Sequence, residues 1–434
     1  MMLIRFYTAM WVMLLTACSP TPETTTMNVQ LNLDQLAEQY VKLALKIGQH
    51  HPSYIDAYYG PASFKPIQEK TSLETLLVSA QELRIGIEKV VIKPALYQRQ
   101  ELLIIQVRSM EMFIRLQLGE HVSFDDESKG LYDAISPTIS ETQLDSALIE
   151  LDKLVPGEGE LNNRLNHYKK QFVIPLDKLD AVFVAAIDEA RKRTKQHIQL
   201  PAQENFKIEY VTDKVWSGYN WYKGGNYSVI QLNTDFPIYI DRAIDLASHE
   251  GYPGHHVFNS QMEQHLVNNL KWVEFSVYPL FSPQSLLAEG SANYGIEVAF
   301  PKAERLAFET EVLFPLAGMD PTQVERYYQI QDKLSLLSYA DNMVAKRYLD
   351  GEINREQAIE LLMKYALSTK EKSMQRIGFI EANRAYVINY NLGQDLVREY
   401  VDKMTGNGDH DRRWQVFADL LANPKTASMM KTAR

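Results

Sequence analysis

Cysteine is almost absent from this chain: Cys18 is the one such residue in 434. The remainder therefore has no disulfide framework, and its stability must come from a buried core and from any metal it binds. An excess of basic charge is missing too. Lys and Arg number 45 against 55 Asp and Glu, a formal net charge of −10, and no basic stripe appears, which argues against the backbone of a nucleic acid as a partner. Long apolar runs are also lacking, since Phe6 to Leu15 is too short for a stable membrane-spanning helix. There is no internal repeat. What is present, 45% hydrophobic and 23% charged residues, suits a globular protein with a substantial core.

The first residues read as an export signal. Arg5 supplies the positive start, the apolar run follows, and Leu15-Thr16-Ala17-Cys18 has the form of a bacterial lipobox. The expectation is that residues 1–17 are removed and that Cys18 becomes the lipidated N-terminus. Residues 18–30, with Thr, Pro and Ser prominent, then form a flexible tether. The protein is expected in the cell envelope, held to a membrane by its lipid on the periplasmic side, at the outer membrane where one exists.

From residue 31 onward the pattern is mainly helical, in one large unit that divides at most into lobes 31–200 and 201–434. Leu33, Leu36, Ala37, Tyr40, Val41, Ala44 and Ile47 form an apolar stripe ending at Gly48. Capping signals at Thr71-Ser72-Leu73-Glu74 and Ser140-Glu141-Thr142-Gln143 start two further helices. One helix is expected from Asp320-Pro321 to about Tyr348, and another through Ile377 to Tyr400. Phe206 to Val211 and Tyr227 to Asn233 read instead as strands of a small sheet.

The chemistry concentrates in His249-Glu250-Gly251-Tyr252-Pro253-Gly254-His255-His256, which follows a helical pattern from Pro237 to Ser248. Two histidines four apart on a helix, with Glu beside the first, make the familiar zinc arrangement. Here His255 lies six residues after His249, about 120° away on an unbroken helix. Pro253 and Gly254 must break or bulge the helix to bring the two rings together. His256 is the alternative second ligand. The third ligand is expected to be Glu289, after Leu286-Leu287-Ala288, since a buried carboxylate needs a partner such as a metal. Glu297, two turns on, is a candidate to orient a ligand histidine.

His-Glu-x-x-Pro-Gly-His-His followed by Glu-Gly-x-Ala-x-Tyr-x-x-Glu resembles the bacterial family numbered 885 among the domains of unknown function, many of whose members are exported lipoproteins. His51-Pro52-x-Tyr54-x-Asp56-Ala57-Tyr58-Tyr59-Gly60-Pro61 is similar to an N-terminal signature of that family. Arg384 and Tyr390-Asn391-Leu392-Gly393-Gln394 resemble its C-terminal segment, without the Pro-Gly-Gln-Ala often found there. The resemblance implies a multi-helical, zincin-like fold, similar to the helical zinc peptidases such as neurolysin and the thermostable carboxypeptidases.

These readings give a concrete expectation. His249, His255 and Glu289 hold one Zn²⁺, or another divalent transition metal, and Glu250 is the general base in hydrolysis of a peptide substrate. His256, Arg384, Tyr386 and Tyr390 form the pool from which an oxyanion donor or a clamp for a substrate carboxylate would come. The alternative is a non-catalytic envelope lipoprotein, a binding or assembly module with a structural metal, in which His256 closes the site.

Overall fold

A computed structural model describes residues 23–433 apart from 68 and 215. Cys18, the signal segment and the first part of the expected tether lie outside the described residues. The fold is mainly α, with 68% helix and 8% strand in small sheets. Among the described residues no helix is long and apolar enough to cross a membrane.

The N-terminal helix Glu23–Gly48 packs on helices Leu73–Lys89 and Tyr97–Gln117 through the stripe that the sequence shows, with Leu33, Ala37, Val41, Ala44 and Ile47 fully buried. Ser72 caps the second of these helices, its Oγ accepting the Thr75 amide, and Ser140 with Gln143 forms both bonds of a capping box on helix Glu141–Leu154. Arg99, almost wholly buried, grips Glu274 through Nε and Nη2 at 2.7 and 3.0 Å and reaches Asp34 through Nη1. That bidentate pair fastens the N-terminal helices to the turn Val273–Ser276, which leads into strand Val277–Pro279. Buried hydrophobic residues run as one continuous cluster from Leu33 to Met430.

Two sheets sit in the middle of the helices. Strand β1 (Ile55–Tyr58) pairs antiparallel with β5 (Val277–Pro279), while β2 (Asn205–Val211), β3 (Gly218–Gly224) and β4 (Tyr227–Asn233) form a sheet ordered β2-β4-β3. β2 runs parallel to β4 and β3 antiparallel to it, joined by a turn with Gly224, Gly225 and Asn226 at positive φ. Among the described residues β3 is thus an edge strand, and it passes beside the stretch His249 to His256.

The helices that frame the site cross unusually closely. A Cβ added to Gly290 on helix Pro283–Ala299 would lie 2.3 Å from the Gly393 carbonyl carbon on helix Ile388–Thr405, and one on Gly393 would lie 2.7 Å from the Leu286 oxygen. Only two glycines allow this backbone contact, which brings Glu289 and Tyr390 to the same place.

Candidate metal centre

The expected helix before the motif is short: regular α-helix spans Asp241–Leu246, and Ala247–Gly251 is a π-helical turn. The Tyr252 amide donates five residues back to the Ala247 oxygen at 3.0 Å, and the Gly254 amide donates six back to the Ser248 oxygen at 2.9 Å. The chain can close so tightly only because residue 254 has no side chain; a Cβ there would stand 1.9 Å from the His249 oxygen. A new helix, His255–Met262, then starts at once. The extra residues are absorbed in the break, and the two histidine rings face each other edge to face with centroids 4.7 Å apart.

Three lone-pair atoms converge. His249 Nε2 lies 3.2 Å from His255 Nε2 and 3.2 Å from Glu289 Oε2, and His255 Nε2 lies 3.6 Å from the same oxygen. Ligands at about 2.1 Å around a tetrahedral first-row metal are ~3.4 Å apart, so this triangle has the size of three vertices of such a site. Glu289 Oε2 is buried with no hydrogen-bond donor, while Oε1 accepts the Tyr386 hydroxyl at 2.8 Å. An orphaned carboxylate oxygen aimed at two imidazole nitrogens fits a divalent metal.

The surroundings fix the ligand atoms. Asn293 Nδ2 donates to the Tyr390 carbonyl at 3.0 Å, so its Oδ1, 2.9 Å from His249 Nδ1, must be the acceptor. His249 therefore carries its proton on Nδ1, which leaves the Nε2 lone pair facing His255 and Glu289. Burial works against the Glu289 carboxylate, but the charges of His255 and His249 outweigh it and hold the group well below the usual range. Burial likewise lowers His255, yet Glu289 pushes it up to about 9.

Glu250 lies beside this triangle, 4% exposed and without a side-chain hydrogen bond among the described residues. Its backbone oxygen accepts Asn220 Nδ2 at 2.7 Å from β3, and a Cβ on Gly218 would be 2.9 Å from its Oε1. Burial raises its pKa, partly offset by the two histidines. A desolvated carboxylate of raised pKa suits a general base. Tyr390 is half-buried, its ring 5.9 Å from that of Tyr386, and its hydroxyl has no partner among the described residues. Burial and then Glu289 keep its phenol protonated and able to donate.

The structure thus brings together His249, His255, Glu289, Glu250 and Tyr390, with Tyr386 behind Glu289. Three of the expected residues, His256, Arg384 and Glu297, are corrected. His256 faces away from the triangle: Nδ1 meets Ser228 Oγ at 2.9 Å and Nε2 meets Glu204 Oε2 at 3.2 Å, because on the new helix it points a further turn-angle round from His255. That Ser-His-Glu chain is fully buried, and it pins the bulge instead of facing substrate, since Glu204 Oε2 also accepts the Tyr252 hydroxyl at 2.5 Å. Arg384 is committed to the buried carboxylate of Glu127, with Nε at 2.7 Å and Nη2 at 2.6 Å. It sits at φ 49°, where Glu127 also accepts the Ala385 amide, so it holds the turn that presents Tyr386. Glu297 pairs with Arg398 and Gln394 at the surface and touches no ligand.

Asn293, Asp56 and Tyr219 escaped assignment from sequence. Asn293 was detectable, one helical turn after Glu289 on the same face. Asp56 on β1 accepts the hydroxyl of Tyr219 on β3, a contact between strands far apart in the chain. A second grouping, His197, His410 and Asp411, is weaker: His197 stacks on Trp414 and His410 Nε2 bonds the Val298 oxygen.

No family model matches the sequence, and neither does any curated protein. Among solved structures the chain is similar to one described as a "putative lipoprotein" from Colwellia psychrerythraea, with a TM-score of 0.54 and 16% identity over 83% of this chain. The match spans 66% of that chain's length. A "putative lipoprotein of unknown function" from Shewanella oneidensis aligns with a TM-score of 0.43 and 13% identity, over 81% of this chain and 72% of that one. The first likeness shows a shared fold.

Proposed function

We propose that this protein is a metal-dependent peptidase of the cell envelope. The observation that carries the reading is the convergence of His249 Nε2, His255 Nε2 and the orphaned Glu289 Oε2 beside a buried, unpartnered Glu250. His249, His255 and Glu289 would hold a zinc ion, which when bound would supply Lewis acidity and lower the pKa of water toward neutrality. Glu250 takes the proton of the attacking water and returns it to the departing amine. Tyr390 donates to the oxygen on which charge develops. The outer edge of β3, which carries no ladder partner among the described residues, runs past Glu250 and would offer backbone groups to an extended peptide. The lipobox at Cys18, the motif likeness to the family numbered 885 and the description of the structural neighbours as lipoproteins together support a lipid-anchored location.

The second reading is a non-catalytic envelope lipoprotein whose metal is structural, and the description of the Colwellia psychrerythraea neighbour as a lipoprotein fits its lipoprotein aspect. A closed site requires a fourth protein ligand, and His256 is engaged elsewhere. One experiment separates the two. The mature protein is analysed for metal and screened against a peptide library, alongside Glu250→Gln and Glu289→Ala. The peptidase reading expects about one zinc per chain, cleavage that falls by a few orders of magnitude in Glu250→Gln with zinc retained, and loss of zinc in Glu289→Ala. Stoichiometric zinc with no cleavage of any peptide would establish the second reading.

A further inference from the structure

Asp56 is a half-buried carboxylate with no cation paired to it among the described residues, and the mechanism above leaves it without a task. Its placement is over-determined. The β1–β5 ladder sets Ala57 opposite Tyr278, and the Leu280 amide bonds the Tyr54 oxygen at 2.8 Å, so β1 is fastened to the segment that runs directly into the helix of Glu289. On the other side Asp56 accepts the hydroxyl of Tyr219, whose neighbour Gly218 lies against Glu250 Oε1. The carboxylate is held between the strand that passes the base and the strand tied to the ligand helix. Burial raises its pKa to about 6, with Tyr219 and His255 opposing the rise and Glu289 and Glu250 adding to it, so all four groups share one environment.

With one metal held by two neutral histidines, the carboxylates of Asp56, Glu250 and Glu289 leave the centre with a net negative charge. Glu250 is nine-tenths buried and unpartnered, and Arg384, the cation best suited to a substrate carboxylate, is spent on Glu127. Such a centre favours a cation on the substrate. In a peptide cut after its first residue, the α-ammonium nitrogen is only two bonds from the carbonyl carbon under attack, so a group that recognises it must flank the metal itself. We propose that Asp56, positioned by Tyr219, binds the N-terminal α-ammonium of the peptide, which makes the site an aminopeptidase-type site. The inference rests on the peptidase reading for its substrate class.

The test uses the zinc-loaded mature chain and three hexapeptides of one sequence: one with a free N-terminus, one N-acetylated, and one N-acetylated with lysine at the first position. Cleavage is followed by mass spectrometry in the wild type, and binding by calorimetry in Glu250→Gln, which reads recognition apart from turnover. The free peptide should lose its first residue and bind about 10- to 100-fold tighter than either acetylated peptide, the range of a charge-assisted hydrogen bond. Adding Asp56→Asn should bring the free and acetylated peptides to the same affinity with zinc content unchanged, and adding Tyr219→Phe should narrow the gap. Equal binding of free and acetylated peptides by Glu250→Gln, or a preference that survives Asp56→Asn, overturns the proposal. An acetylated lysine peptide that binds as well as the free one overturns the assignment to the N-terminus. Preferential binding that needs Asp56, with no cleavage by the wild type, overturns the peptidase reading and leaves the recognition site standing.

Discussion

Asn293 Oδ1 stands 2.9 Å from His249 Nδ1, and the same side chain donates to the backbone of Tyr390. One amide therefore fixes the tautomer of His249 and ties it to the helix that carries Tyr390. Asn293→Ala is expected to weaken zinc binding about 10- to 100-fold while leaving the three ligands in place. Competition with a metal-sensitive chelator measures this, and an unchanged affinity would remove Asn293 from the centre.

Glu204 binds both ends of the bulge, through the Tyr252 hydroxyl and His256 Nε2, and also pairs with Arg191 at 2.6 Å. Glu204→Ala leaves those buried donors without an acceptor and should cost about 3–5 kcal/mol of stability. Glu204→Gln, which keeps an acceptor oxygen, should cost less. The midpoints of urea unfolding rank the two variants.

Gly393→Ala places a methyl group where the Leu286 oxygen and the Gly290 backbone already lie, at 2.7 and 3.0 Å. Neither neighbour is a flexible side chain. The two helices must separate, at a cost of about 3 kcal/mol or more, the upper end of overpacking. Because Glu289 and Tyr390 flank this contact, the proposed peptidase activity should fall further than stability. Comparing kcat/KM with the unfolding midpoint tests that order.

The raised pKa of Asp56 makes a statement about the metal-free protein. A carboxyl whose folded pKa is about 6, above the ordinary 3.8, binds its proton more tightly when folded, so its stabilising contribution is present at low pH and is lost as pH rises through about 4 to 6. Asp56→Asn does not titrate. Relative to wild type it should therefore gain thermal stability as pH rises from 4 to 7, measured on both proteins after chelation of metal. A gain that did not change across that interval would contradict the assigned environment.

The convergence of His249, His255 and Glu289 is legible in sequence because these residues carry their own signals. Histidines six apart with Pro and Gly between them demanded a break, and a carboxylate after Leu286-Leu287-Ala288 demanded a partner. The sheet was half legible: β2 and β4 have β-branched alternation, while β3, with Gly, Asn and Lys among its aromatics, does not. The stretch expected as one helix through Ile377 to Tyr400 is broken into Lys370–Asn383, a turn, and Ile388–Thr405. Arg384 at positive φ makes that break, and the distant Glu127 that fixes it leaves no local mark. A helix expected as unbroken to Tyr348 likewise ends at Ser335 and resumes at Ala340. His256 was misread for the same kind of reason, since its partners Ser228 and Glu204 are neighbours only in space.

The break between His249 and His255 has one more consequence. In a continuous helix, two ligands one turn apart are already spaced by the backbone, and the ion adds little to the rigidity of the segment that holds it. Here the ligands stand on two different helical pieces joined by a loop of three residues. A bound ion would rivet the second piece to the first, so the reagent of catalysis would also be a structural fastener. Amide hydrogens in the first turn of His255–Met262 should then exchange faster once the metal is stripped, giving a gauge of occupancy that needs no substrate.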